Sequence, residues 1–272
     1  MHAIILLLCA ALACLIVCMP RYLTNDSFRH LKKHTLHVAT VVTDTEDPRF
    51  RLLCKHARAH GVRVHPLVSF VPVGHGTGWF GAKLYLVRDY LYTLPVSDVF
   101  MFVDGYDVLI DASAHDILAA FRHMSRHMQT DIIFSADSGC WPDEELASRY
   151  PEVDSPYKYL CSGTYIGYVG ALKRIMDTYI DFSDREVLKT ADDQRVFTDI
   201  YFRSGAIALD TQNVIFNCLN MQLGDVELHP RRGWYNKETN TFPLIFHGNG
   251  WSKDHLFDVI MPGLRSQSKI MD

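Results

Sequence analysis

Excess charge of either sign is missing from this chain: 27 basic and 31 acidic residues leave a net charge of −4. That balance gives no sign of a nucleic-acid partner or a polybasic membrane surface. Cysteine is sparse and never spaced as CxxC. Three of the seven (Cys9, Cys14, Cys18) fall in one apolar segment, and Cys54, Cys140, Cys161 and Cys218 are far apart, a spacing that argues against a zinc site. In an oxidising compartment the four allow one or two disulfides, with a pairing that spacing does not reveal. Internal repeats, low-complexity tracts and interdomain linkers are also lacking. The 14 histidines are scattered, and most read as surface residues.

One long apolar run is present. Ala3 to Met19, AIILLLCAALACLIVCM, carries 17 residues without a charge before Pro20 and Arg21. It is longer than a typical signal-peptide core and short for a membrane span. Only His2 precedes it, so it lacks a basic leader; no A-x-A cleavage site follows, and Ala-Leu-Ala-Cys14 is a poor lipoprotein signal. Residues 1–20 are therefore expected to be a signal anchor or signal peptide, which leaves the rest facing a lumen or the exterior. The expectation is a secretory-pathway protein of the endoplasmic reticulum or Golgi lumen, anchored in the membrane if the segment is uncleaved and otherwise secreted. Asn25-Asp26-Ser27 fits a glycosylation acceptor, a tripeptide common by chance. Residues 21–35 are polar and charged and read as a stem.

From Leu36 the pattern predicts alternating strands and helices. LHVATVVT is a first strand, with Thr40 and Thr43 near its end. Asp47-Pro48 opens a helix with Asp as N-cap and Pro at the first helical position. Phe50, Leu53, Cys54 and Ala57 form its apolar face, and Gly61 closes it. Val62 to Val68 is a second strand, completing a βαβ unit that favours a parallel sheet. A glycine-rich loop, GHGTGWFGAK, runs from Gly74 to Lys83 and opens a helix with Leu84, Val87, Tyr90 and Leu91 on one face. Its spacing is neither GxGxxG nor a P-loop; it reads as a phosphate cradle or simply a flexible loop.

Next comes VFMFVDGYDVLI, Val99 to Ile110: a buried strand running into Asp104, then Gly105, Tyr106 and Asp107. Carboxylates where a strand ends occupy the usual ligand position of α/β sheets and suit a hard divalent cation. The same residues read equally as an Asp-Gly turn with two solvated acids. A helix from Ala114 to Met128 and a strand from Ile132 to Ala136 follow. Ser138 to Tyr159 is a long loop with one helical turn at most. Tyr165 to Val169 reads as a strand and Leu172 to Phe182 as a helix. Thr190-Ala191-Asp192-Asp193 resembles a capping box with Asp for Glu and opens a helix with Val196, Phe197, Ile200 and Tyr201 on one face. Ala206 to Leu209, Val214 to Phe216 and Leu244 to Phe246 are later strands, the last ending in His247-Gly248-Asn249-Gly250.

Several of these residues can carry chemistry, each with a plainer role beside it. His247 can add a neutral imidazole to carboxylate ligands, although a lone His is more often structural. The glycines around Asn249 allow backbone to approach phosphate oxygens, and Lys253 can reach the same diphosphate. Asp192 and Asp193 suit sugar hydroxyls or a general base; equally, they place negative charge at a helix N-terminus. Trp79 and Trp141 can stack on an apolar sugar face or serve as core or lid aromatics.

Five blocks recur here in a familiar order: VFMFVDGYDVLI, FSADSGCWPDEELASRYPEV, LCSGTYIGYVG, ADDQRVFT and LIFHGNGWSK. On these the chain resembles the glycosyltransferase domain of the procollagen lysyl hydroxylases and, more loosely, the procollagen galactosyltransferases, over about Leu36 to Lys253. The resemblance implies one glycosyltransferase domain over residues 36–272. Its fold would be α/β, a GT-A-type, Rossmann-like mixed sheet flanked by helices, with an acceptor-side half. It implies a UDP-sugar donor (UDP-glucose or UDP-galactose), Mn2+ as cofactor, and a protein or glycan acceptor, plausibly hydroxylysine of a collagen-like protein or its galactosylated form. Asp104, Asp107 and His247 match the metal ligands, and Tyr106 an aromatic that packs on uridine. Thr43 and Lys83 match positions lining the nucleotide site, and Asn249 and Lys253 the region holding the diphosphate. Asp192 and Asp193 fall on the acidic run needed for sugar transfer, and Trp141 matches a loop Trp near the sugar.

The chain departs from the family pattern around the sugar and acceptor. Cys161 replaces an Asn before Ser-Gly, Asp137 replaces a Glu after Ser-Ala, Leu86 replaces an aromatic, and the acidic run is shortened. The iron-dependent hydroxylase region does not follow, so no hydroxylase activity is expected of this chain. The reading from another class is a non-catalytic UDP-sugar or glycan-binding module; a metal-dependent phosphohydrolase using the same two acids is a third.

Overall fold

Val99–Val103 (β3) lies at the centre of the molecule because none of its five side chains tolerates water, and all are buried. In the computed structural model, which describes residues 34–70, 80–220, 223–229 and 232–260, the period-2 alternation of a strand splits them between two cores. Phe100 and Phe102 join one apolar cluster, Val99, Met101 and Val103 the other. A strand apolar on both faces belongs inside a sheet covered on both sides.

β3 pairs in parallel with β1 (Leu36–Val42), which pairs in parallel with β2 (Val64–Val68). On its other side β3 pairs antiparallel with β6 (Tyr159–Tyr168). β6 then pairs antiparallel with β5 (Ile132–Asp137), and β5 pairs in parallel with β7 (Ala208–Asp210). The six-stranded order is β2-β1-β3-β6-β5-β7. The sheet is mixed, as the resemblance implies, and within it β1 and β2 pair in parallel as the βαβ pattern expects. β6 inserts between β3 and β5, a long-range pairing that local periodicity does not encode.

Helix α1 (Pro48–Ala59) and helix α3 (Ala114–Met128) cover one face. They lay Phe50, Leu53 and Ala57, and Ile117, Phe121 and Met124, against the Val99/Met101/Val103 side. Helices α2 (Ala82–Leu91), α4 (Val169–Tyr179) and α6 (Asp193–Ser204) cover the other face. Tyr165 stacks between Phe102 and Phe134 there, at ring separations of 5.2 and 4.6 Å. A short helix, α5 (Arg185–Lys189), precedes α6 and is capped by Asp184, whose carboxylate accepts from the backbone N–H groups of Glu186 and Val187.

A second, three-stranded sheet carries the end of the site. Its order is β4 (Val108–Ile110), β11 (Ile245–His247), β8 (Phe216–Cys218), antiparallel then parallel. A hairpin of β9 (Val226–His229) and β10 (Gly233–Asn236) lies beyond. Short strands such as β4 fall below what periodicity resolves, and His247 proves to be inside β11 rather than after it. The long loop Ser138–Tyr159 holds one 3-10 segment, Glu144–Arg149. The apolar segment, most of the stem, residues 71–79 with most of the glycine-rich loop and Trp79, and residues 261–272 lie outside the described residues. Among the described residues no helix is long and apolar enough to cross a membrane.

Candidate active site

Asp104 leaves the end of β3, and Asp107 stands just before β4. The antiparallel pairing of β4 with β11 sets His247 opposite Val108, so Asp107 and His247 become neighbours although they are remote in sequence. His247 Nε2 lies 3.7 Å from an Asp104 oxygen and 3.6 Å from an Asp107 oxygen. One donor atom from each of the three lies within 4.8 Å of the others. Asp107 and His247 are buried and Asp104 is half-buried. The backbone N–H of Gly248 donates to the Asp107 carbonyl at 2.7 Å, locking the two segments together.

A bulge in β6 shapes the floor of the site. The β5–β6 register shifts between Phe134 and Ser135, throwing Ser162, Gly163 and Thr164 out of simple pairing. The N–H of Asp104 donates to the Gly163 carbonyl at 2.8 Å. A Cβ on Gly163 would stand 2.2 Å from His247 Cε1 and 2.8 Å from an Asp104 oxygen. Only glycine leaves room there, and the carboxylates and imidazole close around the space a side chain would fill.

Two lysines face the acids. Lys83, on α2, places Nζ 2.8 Å from Asp104 and 3.4 Å from Asp193. Burial alone would push its pKa down; Asp104 and Asp193 reverse the sign and hold the ammonium charged well above the ordinary lysine range. Lys253 reaches Asp107 at 3.0 Å. Burial opposes ionisation of Asp107 too, yet hydrogen bonding to His247 and the Lys253 charge keep its carboxyl well below the usual range.

The two acids at the start of α6 have separate jobs. Asp192 is the N-cap, its carboxylate accepting from the Arg195 N–H at 3.0 Å, so the cap belongs to Asp192 and not to a box starting at Thr190. Asp193 is buried, held by the Ser162 hydroxyl at 3.1 Å and by Lys83. Burial raises its pKa, Lys83 pulls it back, and Asp192 adds only a lesser push in the same direction as burial. Gln194 accepts from the Ser162 N–H at 2.7 Å and donates to the Leu160 carbonyl, tying α6 to the bulge. Sequence reasoning missed Ser162 and Gln194, because the bulge that recruits them exists only once β6 pairs on both sides.

Tyr106 turns its hydroxyl to the end of β1. It accepts from the N–H of Thr43 at 2.9 Å and of Asp44 at 3.1 Å, and meets the Thr43 hydroxyl at 3.1 Å. Arg49 lies over the Tyr106 ring, 5.1 Å from its centroid. Asn249 turns inward: its amide donates to Asp137 and its carbonyl oxygen accepts from the Asn220 N–H at 3.2 Å. Asp137 is buried beside it, and desolvation pushes its carboxyl up to about 6. Trp141 stands on the loop after β5 with 64% of its surface exposed, away from any packed core.

Two carboxylates and an imidazole form the donor set of a hard to borderline divalent ion such as Mn2+. The Gly163 cradle and the convergence of the three donors fit such an ion.

Residues 32–260 match the family model described as the PLOD GT domain. The chain belongs to that family. It is 33% identical over 242 residues to a multifunctional procollagen lysine hydroxylase and glycosyltransferase of Caenorhabditis elegans, a match covering 81% of this chain and 31% of that protein. It is 31% identical to a procollagen-lysine,2-oxoglutarate 5-dioxygenase of Drosophila melanogaster, over 80% of this chain and 31% of the relative. An uncharacterised protein, R699, of Acanthamoeba polyphaga mimivirus is 29% identical over 73% of this chain and 42% of its own length. The chain thus spans well under half the length of these relatives. Among solved structures, a glycosyltransferase involved in glycosylating the major capsid of PBCV-1 aligns with a TM-score of 0.48 and 11% identity, over 84% of this chain and 98% of that one.

Cys161 and Asp137 both belong to this site. Cys161 is buried on the sulfur-facing side of His247, its Sγ 3.6 Å from Nδ1, and Asp137 holds Asn249. Cys54, Cys140, Cys161 and Cys218 are all free thiols, so the disulfides that the composition allows do not form among the described residues.

Proposed function

We propose that this chain is a Mn2+-dependent hexosyltransferase that moves glucose or galactose from a UDP-sugar to a hydroxyl acceptor. The observation that carries the reading is the convergence of Asp104, Asp107 and His247 on one point, with Lys83, Lys253 and Asp193 around it. Asp104, Asp107 and His247 would hold the ion. A bound divalent cation neutralises charge on a diphosphate as it leaves.

The chain's own groups do the rest. Lys83 and Lys253 are cations placed against the carboxylates and within the same pocket as a diphosphate would occupy; each favours the departing negative charge. Tyr106, fixed through its hydroxyl by Thr43 and Asp44, offers a ring for the uracil base. Asn249, braced by Asp137, fixes the backbone turn beside Lys253. Asp193 contacts the sugar or accepts the proton of the acceptor hydroxyl, and its burial favours a carboxylate basic enough for that transfer. Asp192 supports it by capping α6. Trp141, exposed beside this region, stacks on the sugar or the acceptor.

The acceptor in this reading is hydroxylysine of a collagen-like protein, or its galactosylated form. Family membership and the names of the relatives support that choice. The apolar segment at 1–20, read as a signal anchor or signal peptide, supports a setting in the secretory lumen, anchored to the membrane or secreted. The test is release of UDP from UDP-glucose and from UDP-galactose, with Mn2+, with and without a hydroxylysine-containing peptide. Turnover of one sugar is expected. Binding of UDP with no turnover under any acceptor would instead indicate a non-catalytic binding module, and release of free phosphate a phosphohydrolase.

A further inference from the structure

His247 presents its two ring nitrogens to two different chemistries. Nε2 faces the carboxylates of Asp104 and Asp107. Nδ1 faces sulfur: Cys161 Sγ lies 3.6 Å away, and Cys218 Sγ completes the group. Cys161, Cys218 and His247 each bring a ligand atom within 4.8 Å of the others, and all three are more than nine-tenths buried. The fold builds this cluster. Cys218 is the register partner of His247 in the parallel β8–β11 pair, and Cys161 enters from β6 immediately before the bulge, opposite Ser135.

The spacing is that of ligands around a small ion. Zinc bonds of about 2.3 Å to sulfur and about 2.0 Å to nitrogen, opened to a tetrahedral angle, separate S and N by about 3.5 Å. The donor set is also soft where the opposite side of the ring is hard. Two thiolates and an imidazole select zinc-like ions, whereas carboxylates suit Mn2+ and Mg2+. The sequence spacing of the cysteines argued against such a site, but residues brought together by strand pairing need no CxxC.

We propose that Cys161, Cys218 and His247 Nδ1 form a second metal site, for a thiophilic divalent ion such as Zn2+, back to back with the carboxylate site across one imidazole ring. Loading releases the two thiol protons to solvent as two Zn–S bonds form. The sites are coupled through His247, because a neutral imidazole has only one lone-pair nitrogen. An ion on Nδ1 takes that lone pair and leaves Nε2 carrying hydrogen toward the carboxylates. Zinc on the sulfur side therefore weakens Mn2+ binding on the carboxylate side, and the coupling is reciprocal. The sulfur-side site itself does not depend on the transferase reading.

Titration of the metal-stripped, reduced chain with Co2+ tests this directly. A sulfur-to-cobalt charge-transfer band in the near ultraviolet is expected at one equivalent, displaced by Zn2+, weakened in Cys161→Ser and in Cys218→Ser, and kept in Asp107→Asn. Zinc loading is expected to lower Mn2+ affinity about tenfold or more. No charge-transfer band from a folded chain with both thiols titratable after denaturation would overturn the proposal. So would a Cys161–Cys218 disulfide in the chain as purified, located by peptide mapping of the unreduced protein. If neither serine variant folds, absence of the wild-type band still overturns the proposal. Mn2+-dependent UDP turnover without a band defeats this inference alone, and a band without UDP binding defeats the transferase reading alone.

Discussion

Asp107 and Asp193 are both buried carboxylates, and their surroundings send them opposite ways. Asp107, against His247 and Lys253, is held ionised; Asp193 is pushed toward protonation by burial and pulled back by Lys83. Their substitutions should separate accordingly. Asp193→Asn keeps the shape and should retain Mn2+-dependent UDP binding while turnover falls by about 10²–10⁴, measured by UDP release at saturating donor. Equal loss of binding and turnover would place Asp193 in donor binding instead. Gly163→Ala should disrupt the site without a change of charge, since the added methyl would overlap His247 and Asp104; a metal titration of the folded variant should show Mn2+ affinity lowered at least about tenfold. At this scale the sequence was eloquent about residue types and silent about neighbours. Asp104 and Asp107 on VFMFVDGYDVLI were visible as a pair, but nothing in that stretch distinguishes a metal loop from a solvated turn. What favours the metal reading is His247, which strand pairing brings beside them. Asn249, read as part of the region that holds the diphosphate, directs its side chain into Asp137 and Asn220, contacts that no local pattern encodes.

At the scale of elements, β1, β3, α1, α2 and α3 follow from pattern and caps because their stabilising contacts repeat at 2.0 or 3.6 residues. β4, β9 and β10, three or four residues long, do not. Only the second half of β6, from Tyr165, is read as a strand from the sequence, and its place between β3 and β5 is a matter of long-range pairing. The turn from β7 into β8 gives an element-level test. Asp210 is buried and accepts from the N–H groups of Val214 at 2.9 Å, Ile215 at 2.7 Å and Phe216 at 2.9 Å. Desolvation outweighs those bonds and pushes its pKa from 3.8 up to about 6. A folded pKa above the unfolded one means that the contribution is complete below about pH 4 and is lost as pH rises through about 6. Two units correspond to about 3 kcal/mol at most. Denaturant melts between pH 4 and 7 should show that decline in the wild type and a flatter profile in Asp210→Asn. Asp210→Ala, which leaves three N–H groups without their acceptor, should cost about 3 kcal/mol or more at any pH in that range.

Over the whole molecule, the site sits where the six-stranded sheet meets the three-stranded one. Asp104 belongs to the first sheet, Asp107 and His247 to the second, and Lys83 and Asp193 to the helices on one face. Ligands that bridge these groups bind only the folded arrangement and must raise its stability. At a hundredfold excess over Kd the gain is about 2.7 kcal/mol. For a chain of this size that is about 5–10 °C in Tm. UDP with Mn2+ should produce the shift and UDP with a chelator should not. The mixed α/β class and the family were legible because the five blocks are local and ordered. The sheet order was not, since it is written in contacts between segments that lie far apart in the chain.

If Asp104, Asp107 and His247 together hold a divalent ion that binds UDP to this chain, losing one carboxylate must abolish that binding. Isothermal titration of UDP into wild-type protein and Asp107→Ala, each with Mn2+ and with a chelator, tests it most directly. Binding is expected from the wild type only when Mn2+ is present, and none from a folded Asp107→Ala in either condition. Unchanged, Mn2+-dependent UDP binding by Asp107→Ala would contradict it.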